Sequence, residues 1–511
     1  MLLALPWLNP FALGPSPSVV PWLFSMAIVA VLFLVFVWCS KARPDFSVRW
    51  ALETSQAFGI SLLVAGLISS VLALLQYLDL EAFIAPWANA TEPGQAFANL
   101  RQRNQFASLT NLALASLLIW ALRGRLGDST NRAAPHTIAA ALLGAGLLAV
   151  GNSASASRTG AVQFLWLCVL FLLWGGLRVR SVRLILVCAL VAYAAATIVL
   201  PYAAGFDWST HGLAARLQAG DQQCASRITL WSNVLHLIAQ KPWLGWGWGE
   251  LDYAHFITLY DGLRFCDILD NAHNLPLHLA VELGVPAAVL VCGGFVWWAV
   301  HQKPWAERDP TRQMAWAVIT VILLHSMLEY PLWYGPFQMA FLICIGLLRR
   351  PKPSLDIKNS LEKVSKRSLA QIVAAQLGIF LILFSGYAAW DYRRISQIYL
   401  PPEARAKPYR VDTLNKIRSS WLFADQVQFA ELLVTPLTPA NAEWTFDSAR
   451  RLLHYSPEPR VIEKLIESAV MLGNDDDAVA YLARFRAAFP QEHKRWVKAQ
   501  QMAPSIEALK R

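Results

Sequence analysis

DQQCASRITLW (residues 221–231), KPWLGWGWGE (241–250) and LRFCDILDNAHN (263–274) all lie in the stretch that decides the fold, residues 201–275. This stretch is polar and rich in aromatic residues, and it separates two blocks of apolar sequence. The apolar runs on both sides are each about twenty residues long, enough to cross a hydrocarbon core of about 30 Å. We therefore expect a large loop, which carries the chemistry, between two groups of membrane helices.

The composition indicates a polytopic membrane protein. Hydrophobic residues make up 56% of the 511 residues, charged residues only 15%, and the mean hydropathy is +0.39. The net charge of +10 could suggest nucleic-acid binding. The basic residues, however, fall mostly in short loops between the apolar runs, where they orient helices in a bilayer.

The predicted fold class is all-α, a membrane helical bundle of about ten to twelve spans. The predicted spans are 17–40, 54–78, 105–122, 134–151, 159–177, 183–200, 275–300, 313–330, 335–349 and 369–391. The first fifteen residues lack a charged leader and a small-residue cleavage site, which argues against a signal peptide. They are interpreted as a half-inserted segment or the remnant of an eleventh span.

Loop charges alternate along the chain. Five loops (41–49, 123–132, 178–183, 303–312 and 349–367) hold nineteen Lys or Arg and six Asp or Glu. The other set (79–104, 151–158 and 201–274) holds seven Lys or Arg and ten Asp or Glu. By the positive-inside rule the second set lies outside the cytoplasm. This predicts a multi-pass membrane protein with its site outside the cytoplasm. In a bacterium, that corresponds to the inner membrane with the site facing the periplasm.

Four regions follow from this pattern. They are the N-terminal transmembrane helices (1–200), a periplasmic catalytic loop (201–275), the C-terminal transmembrane helices (276–391) and a periplasmic helical domain (392–511). In the last region, residues 447–490 predict a helix, a Pro break, a helix, a Gly-Asn turn, a helix and a Pro stop. Paired amphipathic helices of this kind resemble a tetratricopeptide unit, and packing or partner docking is its expected role.

Two of the seven cysteines, Cys224 and Cys266, fall in the long loop. A pair in an oxidising compartment is most simply a disulfide, and closing this loop would stabilise the fold by about 4 kcal/mol. The alternative is two unrelated thiols.

His273 is the candidate catalytic base. It lies between Asn271 and Asn274, just before the seventh predicted span. A neutral imidazole there could take a proton from an incoming hydroxyl. The alternative is a helix-capping polar cluster, with Asn274 as the cap and His273 as a bystander. Asp252 and Asp270 are the fallback carboxylate bases.

Arginines supply candidate phosphate ligands. Arg158 lies in GNSASASRTG at the outer junction of two spans, and Arg227 opens an amphipathic helix in the loop. Planar guanidinium groups make bidentate bonds to the oxygens of a pyrophosphate. The alternative for each is contact with lipid headgroups. Arg216 and Arg264 are weaker candidates.

Two further clusters are polar. GQAFANLRQRNQFA (94–107) offers Gln102, Arg103 and Asn104, which could bind a sugar or phosphate or simply begin a helix. HSMLEYPLWYGPF (325–337) sets His325 and Glu329 four residues apart, on one face if the helix continues. No third ligand accompanies this pair, so no zinc site is predicted.

The tryptophans of KPWLGWGWGE suggest a surface function. A phosphate-binding loop is excluded because no strand-turn-helix context surrounds the glycines. Trp243, Trp246 and Trp248 suit an interfacial anchor or a sugar-stacking surface.

Six motifs follow one another along the chain: QRNQFA (102–107), SASRTG (155–160), SRITLW (226–231), PWLGWGWGE (242–250), NAHN (271–274) and HSMLEYPLWY (325–334). In this order, and followed by a helical tail, they resemble the O-antigen ligase and polymerase superfamily. Within it, the chain looks most like the bacterial protein O-oligosaccharyltransferases, or pilin glycosylation ligases.

The resemblance implies transfer of a preassembled glycan from a polyprenyl pyrophosphate to a hydroxyl, without a metal ion or cofactor. His273 would be the base, and Arg158, Arg227 and Arg103 would bind pyrophosphate. Supporting or substrate-binding residues would be Gln102, Asn104, Asn274, His325, Glu329 and Tyr334. The implied partners are a lipid-linked oligosaccharide, membrane lipids and an acceptor, either a pilin-like protein or a saccharide. The long tail favours a protein. A lipid-linked sugar transporter and a structural anchor for the tail are the rival functions.

Overall fold

The computed structural model describes residues 1–502 except 12–13, 17, 43–45, 125–134, 208, 210–211, 214–215, 217–222 and 350–361. The basic residues of two predicted cytoplasmic loops, at 125–132 and 350–361, lie outside the described residues. The described chain is helical and contains no strand. It divides into two compact units, which we call the membrane unit (1–220 and 298–389) and the loop–tail unit (221–297 and 390–511).

The membrane unit contains most of the predicted spans. Its helices are α1 (Leu5–Leu8), α2 (Val19–Ala42), α3 (Phe46–Tyr77), α4 (Arg103–Leu122), α5 (Pro135–Ala154), α6 (Arg158–Leu173) and α7 (Arg180–Ala203).

The loop–tail unit begins with α8 (Arg227–Gln240), α9 (Leu251–Ile257), α10 (Leu275–Leu283) and α11 (Val285–Ala288), and α12 (Gly294–Gln302) leads back into the membrane unit. The membrane unit then adds α13 (Pro310–Ser326), α14 (Gly335–Leu348) and most of α15 (Glu362–Ile395). The tail consists of α16 (Thr413–Ile417), α17 (Ala424–Val434), α18 (Ala442–Leu452), α19 (Pro459–Met471), α20 (Asp475–Ala488) and α21 (Pro490–Met502).

Six described helical segments are long and apolar enough to span a membrane, which indicates a multi-pass membrane protein. They are Glu53–Tyr77, Arg103–Leu122, His136–Ala154, Arg180–Ala203, Val285–Ala306 and Gln371–Tyr399. The other four predicted spans also form helices, which are α2, α6, α13 and α14.

α4 is the central helix of the membrane unit. Nearly all of its residues are buried, and it contacts α3, α5, α6 and α13. Small residues allow the close contact with α3: a Cβ added at Gly66 would lie 2.3 Å from the Cβ of Ala113. Without water to drive helices together, such close backbone approach is a main source of helix association in a bilayer.

The first residues fold back onto this bundle. Trp7 of α1 is fully buried and makes an edge-to-face contact with Phe337, with ring centroids 4.9 Å apart. The predicted incomplete segment is therefore a short helix packed on the membrane unit.

The seventh predicted span, 275–300, is not one helix. The chain breaks at Gly284, whose φ of 89° ends α10, and the candidate membrane helix begins at Val285. A Cβ at Gly284 would lie 2.1 Å from the carbonyl oxygen of Trp243, so only glycine fits. Val285 N–H then donates to the carbonyl of Pro242 at 2.8 Å. α10 consequently precedes the candidate membrane helix and is not part of it.

The predicted helical pattern of the tail is confirmed by α18, α19 and α20, which pack in succession. α20 ends at Ala488, just before Pro490, as predicted, and Pro490 is also the first residue of α21, a position that proline favours. The tail core also includes Phe256 from α9, and Arg484 Nε donates to the carbonyl of Ile257 at 2.9 Å. The tail thus packs directly on the loop within one unit.

Candidate functional site

The predicted disulfide is confirmed. Cys224 and Cys266 are bonded, with Cα atoms 5.3 Å apart, and the backbone N–H of Cys266 donates to the carbonyl of Cys224 at 3.3 Å. The bond closes the part of the loop that contains α8 and α9.

Glu329 binds two other predicted polar residues of the membrane unit. Gln102 Nε2 donates to its Oε2 at 3.2 Å, and Asn104 Nδ2 donates to its Oε1 at 3.1 Å. The Glu329 side chain is 7% exposed, so these bonds satisfy a largely desolvated carboxylate. Because more than two hundred residues separate the partners, the contact brings the start of α4 to the end of α13.

The same cluster reaches the turn that carries Arg158. Asn104 Oδ1 accepts a 2.6 Å hydrogen bond from Ser157 Oγ, and Ser157 Oγ accepts one from Gly160 N–H at 2.9 Å. Ser157 is thereby the N-cap of α6, and Arg158 is the first residue of that helix. Ser157 was not singled out in the sequence, although its place before a helical apolar run is typical of a cap.

His325 and Glu329 do not share a helix face as expected, because α13 ends at Ser326 and Glu329 lies in the turn beyond it. His325 is fully buried and its Nδ1 lies 2.9 Å from Ser108 Oγ. Gln163 Nε2 in turn donates to Ser108 Oγ at 2.8 Å. His325 thus supports the packing of α4 on α13.

A cavity of about 310 Å³, with both apolar and polar side chains in its wall, adjoins the start of α4. Gln102 and Tyr334, two predicted substrate-binding residues, line it together with Arg101. Arg103 is half-buried as the first residue of α4. The predicted residues Gln102, Arg103, Asn104, Glu329 and Tyr334 therefore surround one region of the membrane unit.

A second, apolar cavity of about 940 Å³ lies between α2, α14 and α15. Its wall includes Trp22 and Gly335 near one end of these helices and Arg349 at the other. The indole N–H of Trp22 donates to Gln338 Oε1 at 3.0 Å. A groove that is apolar along its length and polar at its ends suits the tail of a lipid.

In the loop–tail unit, Arg227 is the first residue of α8, whose N-cap is Ser226. The predicted amphipathic helix is confirmed: Leu230, Val234 and Leu237 are buried on one face. Trp231 Nε1, one turn after Arg227, donates to the carbonyl of Ala272 at 3.0 Å. α8 is therefore tied to the residue that precedes His273.

His273 lies in the turn before α10 with φ of 51°, in the left-handed region that non-glycine residues rarely occupy. Its N–H donates to Asn271 Oδ1 at 2.9 Å. Asn274 is the N-cap of α10 and accepts from Leu277 N–H, the capping role weighed in the sequence. The side chain of His273 is half-buried, so an incoming group can reach it.

Two buried residues behind His273 were missed. His278 and Glu282 are each 2% exposed, and Nε2 of His278 lies 3.4 Å from Oε2 of Glu282. Burial, aided by the nearby His273, lowers the pKa of His278 to about 4, and burial raises the pKa of Glu282 to about 7. Both shifts favour the neutral forms, so we describe a buried hydrogen-bonding pair rather than an ion pair.

The fallback base Asp252 is also buried. Burial, together with the neighbouring Asp270 and Glu250, raises the pKa of Asp252 to about 7. Its Oδ1 accepts from Tyr253 N–H at 2.7 Å. A carboxyl group with a pKa near 7 has the proton affinity of a general base, which keeps Asp252 as the alternative to His273.

The Trp-rich motif contributes two exposed rings and one half-buried ring. Trp243 and Trp248 are 76% and 62% exposed, as a surface anchor requires. Trp246 is instead turned inward: its indole N–H donates to Leu237 carbonyl at 3.0 Å, and Lys241 Nζ lies 3.9 Å from its ring centroid. Trp246 therefore holds the motif in place and does not serve as an exposed stacking surface.

The two weaker arginine candidates bond to the backbone. Arg264 donates to the carbonyls of His255 and Thr258 at 2.8 and 2.9 Å. Burial lowers the pKa of Arg264 to about 10 and that of His255 to about 3, so the imidazole is neutral. Arg216 donates to Ala156 carbonyl at 2.9 Å, beside the turn that carries Arg158. Both guanidinium groups therefore bond to backbone carbonyls.

The predicted site residues thus fall into two groups. Gln102, Arg103, Asn104, Arg158, His325, Glu329 and Tyr334 belong to the membrane unit, and Arg227, His273 and Asn274 belong to the loop–tail unit.

Family models match three parts of the chain. Residues 140–292 match the O-antigen ligase family, residues 313–503 the C-terminal region of a virulence factor membrane-bound polymerase, and residues 96–121 a protein glycosylation ligase family. The resemblance to the O-antigen ligase and polymerase superfamily is therefore confirmed.

Two curated relatives come from Acinetobacter baylyi. A general O-oligosaccharyltransferase is 23% identical over 353 residues, covering 66% of this chain and 58% of the relative. A ComP-specific O-oligosaccharyltransferase is 22% identical over 351 residues, covering 68% of this chain and 59% of the relative. The alignments span under two thirds of either relative's length. No solved structure matches the chain.

Proposed function

We propose that this protein is a membrane glycosyltransferase that moves a preassembled glycan from a polyprenyl pyrophosphate carrier to a Ser or Thr hydroxyl of a periplasmic or pilin-like protein. The observation that carries the proposal is the O-antigen ligase match, because residues 140–292 include Arg158, Arg227 and His273. These are the residues to which the sequence assigns pyrophosphate binding and proton transfer.

The protein acceptor is supported by the relatives. Both are named O-oligosaccharyltransferases, and the protein glycosylation ligase match, 96–121, includes Gln102, Arg103 and Asn104. A saccharide acceptor is the second candidate, favoured by the O-antigen ligase match and by the polymerase match at 313–503. The two functions share their chemistry and differ in which hydroxyl approaches His273.

The donor would lie with its polyprenyl chain in the apolar cavity between α2, α14 and α15. Arg158, Arg227 and Arg103 would bind the pyrophosphate and stabilise the negative charge that grows as it leaves. The arginines would thereby do the work that a metal ion does in other enzymes, so the reaction needs no metal. Gln102, Asn104, Glu329 and Tyr334 would order the head of the donor.

His273 would take the proton of the acceptor hydroxyl. The hydroxyl oxygen then forms a bond to the anomeric carbon as the bond from that carbon to the phosphate oxygen breaks. Polyprenyl pyrophosphate leaves with the electron pair of the broken bond. Attack occurs opposite the leaving group, so the anomeric configuration inverts. Recovery of the donor's configuration in the product would exclude this single displacement.

We place the reaction at the periplasmic face of the inner membrane. Two observations support this location. The basic loops alternate with acidic ones along the sequence, and the loop–tail unit contains the Cys224–Cys266 disulfide. Disulfides persist in the periplasm and are rare in the cytosol.

The deciding experiment measures glycan transfer in cells that supply a lipid-linked oligosaccharide. It compares the wild type, His273→Ala and the control His236→Ala, which changes an exposed histidine of α8. Both pilin-like proteins and lipopolysaccharide are probed for added sugar. We expect sugar on protein, a loss of at least about a hundredfold in His273→Ala, and normal transfer in the control.

Sugar on lipopolysaccharide, or longer sugar chains, would move the function to the saccharide acceptor. Transfer by His273→Ala at the wild-type rate would exclude His273 as the base and favour Asp252 in that role.

A further inference from the structure

His273 has an unusual backbone conformation. A residue with a Cβ at φ of 51° is held there by its surroundings, because the left-handed conformation is unfavourable for such residues. The contact that holds it is the hydrogen bond from His273 N–H to Asn271 Oδ1 at 2.9 Å. Since Asn271 is only 4% exposed, its side chain has few alternative orientations.

This bond fixes the rest of a chain of contacts. The oxygen of the Asn271 amide must face the N–H of His273, so its nitrogen faces Nε2 of His278, at 3.5 Å. His278 Nε2 also lies 3.4 Å from Glu282 Oε2. A path of buried polar groups therefore runs from Glu282 through His278 and Asn271 to the backbone of His273.

The contacts of His278 with Asn271 and with Glu282 are long for hydrogen bonds, which is common at sites that tighten when the substrate binds. Burying polar side chains costs free energy that an apolar side chain would not, so a purely structural position on the inner face of α10 would favour leucine. The neighbouring buried residues of α10, Leu279 and Val281, are of that kind.

We propose that Asn271, His278 and Glu282 are positioning residues that hold His273 in its reactive orientation. The inference rests on the proposed role of His273 as the base. Asn271 fixes the backbone of His273, His278 fixes the amide of Asn271, and Glu282 fixes the imidazole of His278. None of the three needs to touch the substrate.

The test compares His278→Leu, which keeps the volume but not the polar atom, with His278→Gln, which restores an acceptor near the position of Nε2. We expect His278→Leu and Asn271→Ala to lower kcat about tenfold to a hundredfold with KM nearly unchanged. His278→Gln should recover most of the loss. The matched control is Asn233→Ala, because Asn233 is also buried and also bonds two backbone groups of the loop, those of Leu263 and Phe265.

A second readout does not depend on glycan transfer. Diethyl pyrocarbonate modifies neutral imidazole, and the rate of modification of His273 can be followed by mass spectrometry of the full-length protein. We expect a changed rate at His273 in Asn271→Ala and His278→Leu, a wild-type rate in Asn233→Ala, and a rate near wild type in His278→Gln. Thermal melting of each variant separates these changes from unfolding.

An unchanged labelling rate and kcat in folded His278→Leu would overturn the proposal, as would a loss that His278→Gln does not repair. If the wild type transfers no glycan, the proposed function fails while the labelling rates still decide whether these residues position His273.

Discussion

The membrane unit holds Glu329 through side chains from a helix that is distant in the sequence, whereas the loop–tail unit holds His273 through local turns of the backbone. Gln102 and Asn104 reach Glu329 from the start of α4. His273 depends instead on Asn271, two residues away, and on the fold of the loop around it. The helices of the membrane unit also pack through small residues, such as Gly66 against Ala113, whereas the geometry at His273 depends on the fold of the loop. Changes in the loop should therefore lower stability more than activity, and changes at Glu329 should lower activity more than stability.

The largest effect is expected at Gly284. Its φ is 89°, and an added Cβ would lie 2.1 Å from a carbonyl oxygen of the backbone, so Gly284→Ala combines strain with a clash. We expect a loss of roughly 4 kcal/mol or more in the stability of the loop–tail unit. The control is Gly262→Ala, where nothing lies within 4 Å of the added Cβ. Thermal unfolding of the purified proteins measures the difference, and equal melting temperatures would contradict the contrast.

The second largest loss of stability is expected when the disulfide is removed. It joins residues 42 apart in the sequence, so replacing Cys224 and Cys266 by serine should cost about 4 kcal/mol by freeing the unfolded loop. Cys292→Ser, which changes a half-buried free thiol, serves as the control. Melting with and without reductant provides the measurement: a reductant should lower the melting temperature of the wild type and of the control, but not that of the double variant. Insensitivity of the wild type would show that the bond does not support the loop.

Much of the membrane unit could be predicted from the sequence because each span is encoded locally. Each of the ten predicted spans contains a helix, but the seventh, 275–300, is broken at a point where a local signal was overlooked. Gly284 and Pro286 flank Val285 at the break between α10 and the next span. Glycine and proline at such spacing end one helix and begin another.

The site was less accessible to sequence reasoning, because its contacts join distant residues. The candidates Gln102, Asn104 and Glu329 were named, but nothing in their spacing indicates that one carboxylate joins them. The packing of Phe256 in the core of the tail likewise depends on tertiary structure. His278 and Glu282 are the exception: four residues apart on α10, they form a pair that the sequence could have revealed.

The loop–tail unit should also respond to pH through Asp252. Its pKa is about 7 in the folded protein and near 3.8 when unfolded. Between these values the Asp252 carboxyl group binds more protons in the folded state than in the unfolded state, so its contribution to stability falls as the pH rises from about 4 to 7. The lowered pKa values of His255 and His278 give contributions of the opposite sign below about pH 6.5. Asp252→Asn should therefore stabilise the protein at pH 8, by roughly 2 kcal/mol, and have little effect at pH 4.

The control for that prediction is Asp267→Asn, which changes an exposed carboxylate of the same loop. Melting temperatures across this pH range are compared. Some slope should remain in Asp252→Asn, because burial also raises the pKa of Glu282. A stabilisation by Asp252→Asn that is equal at pH 4 and pH 8 would rule out the carboxyl group as its source.

The smallest change in stability is expected at Glu329, where function should respond instead. Glu329→Gln keeps the shape but removes the charge, and a charge-assisted hydrogen bond is worth about 1.5 kcal/mol, or about tenfold in rate if it is lost only in the transition state. Glu307→Gln is the matched control, because Glu307 is equally buried in the membrane unit and pairs with Arg312 at 2.7 Å. It should lower the melting temperature and leave the transfer rate of the folded enzyme unchanged. The opposite outcome is that Glu329→Gln lowers the melting temperature of the bundle while the folded enzyme keeps full activity. It would mean that the polar cluster of the membrane unit supports the fold, as the turns of the loop do. The distinction between the two units would then be lost.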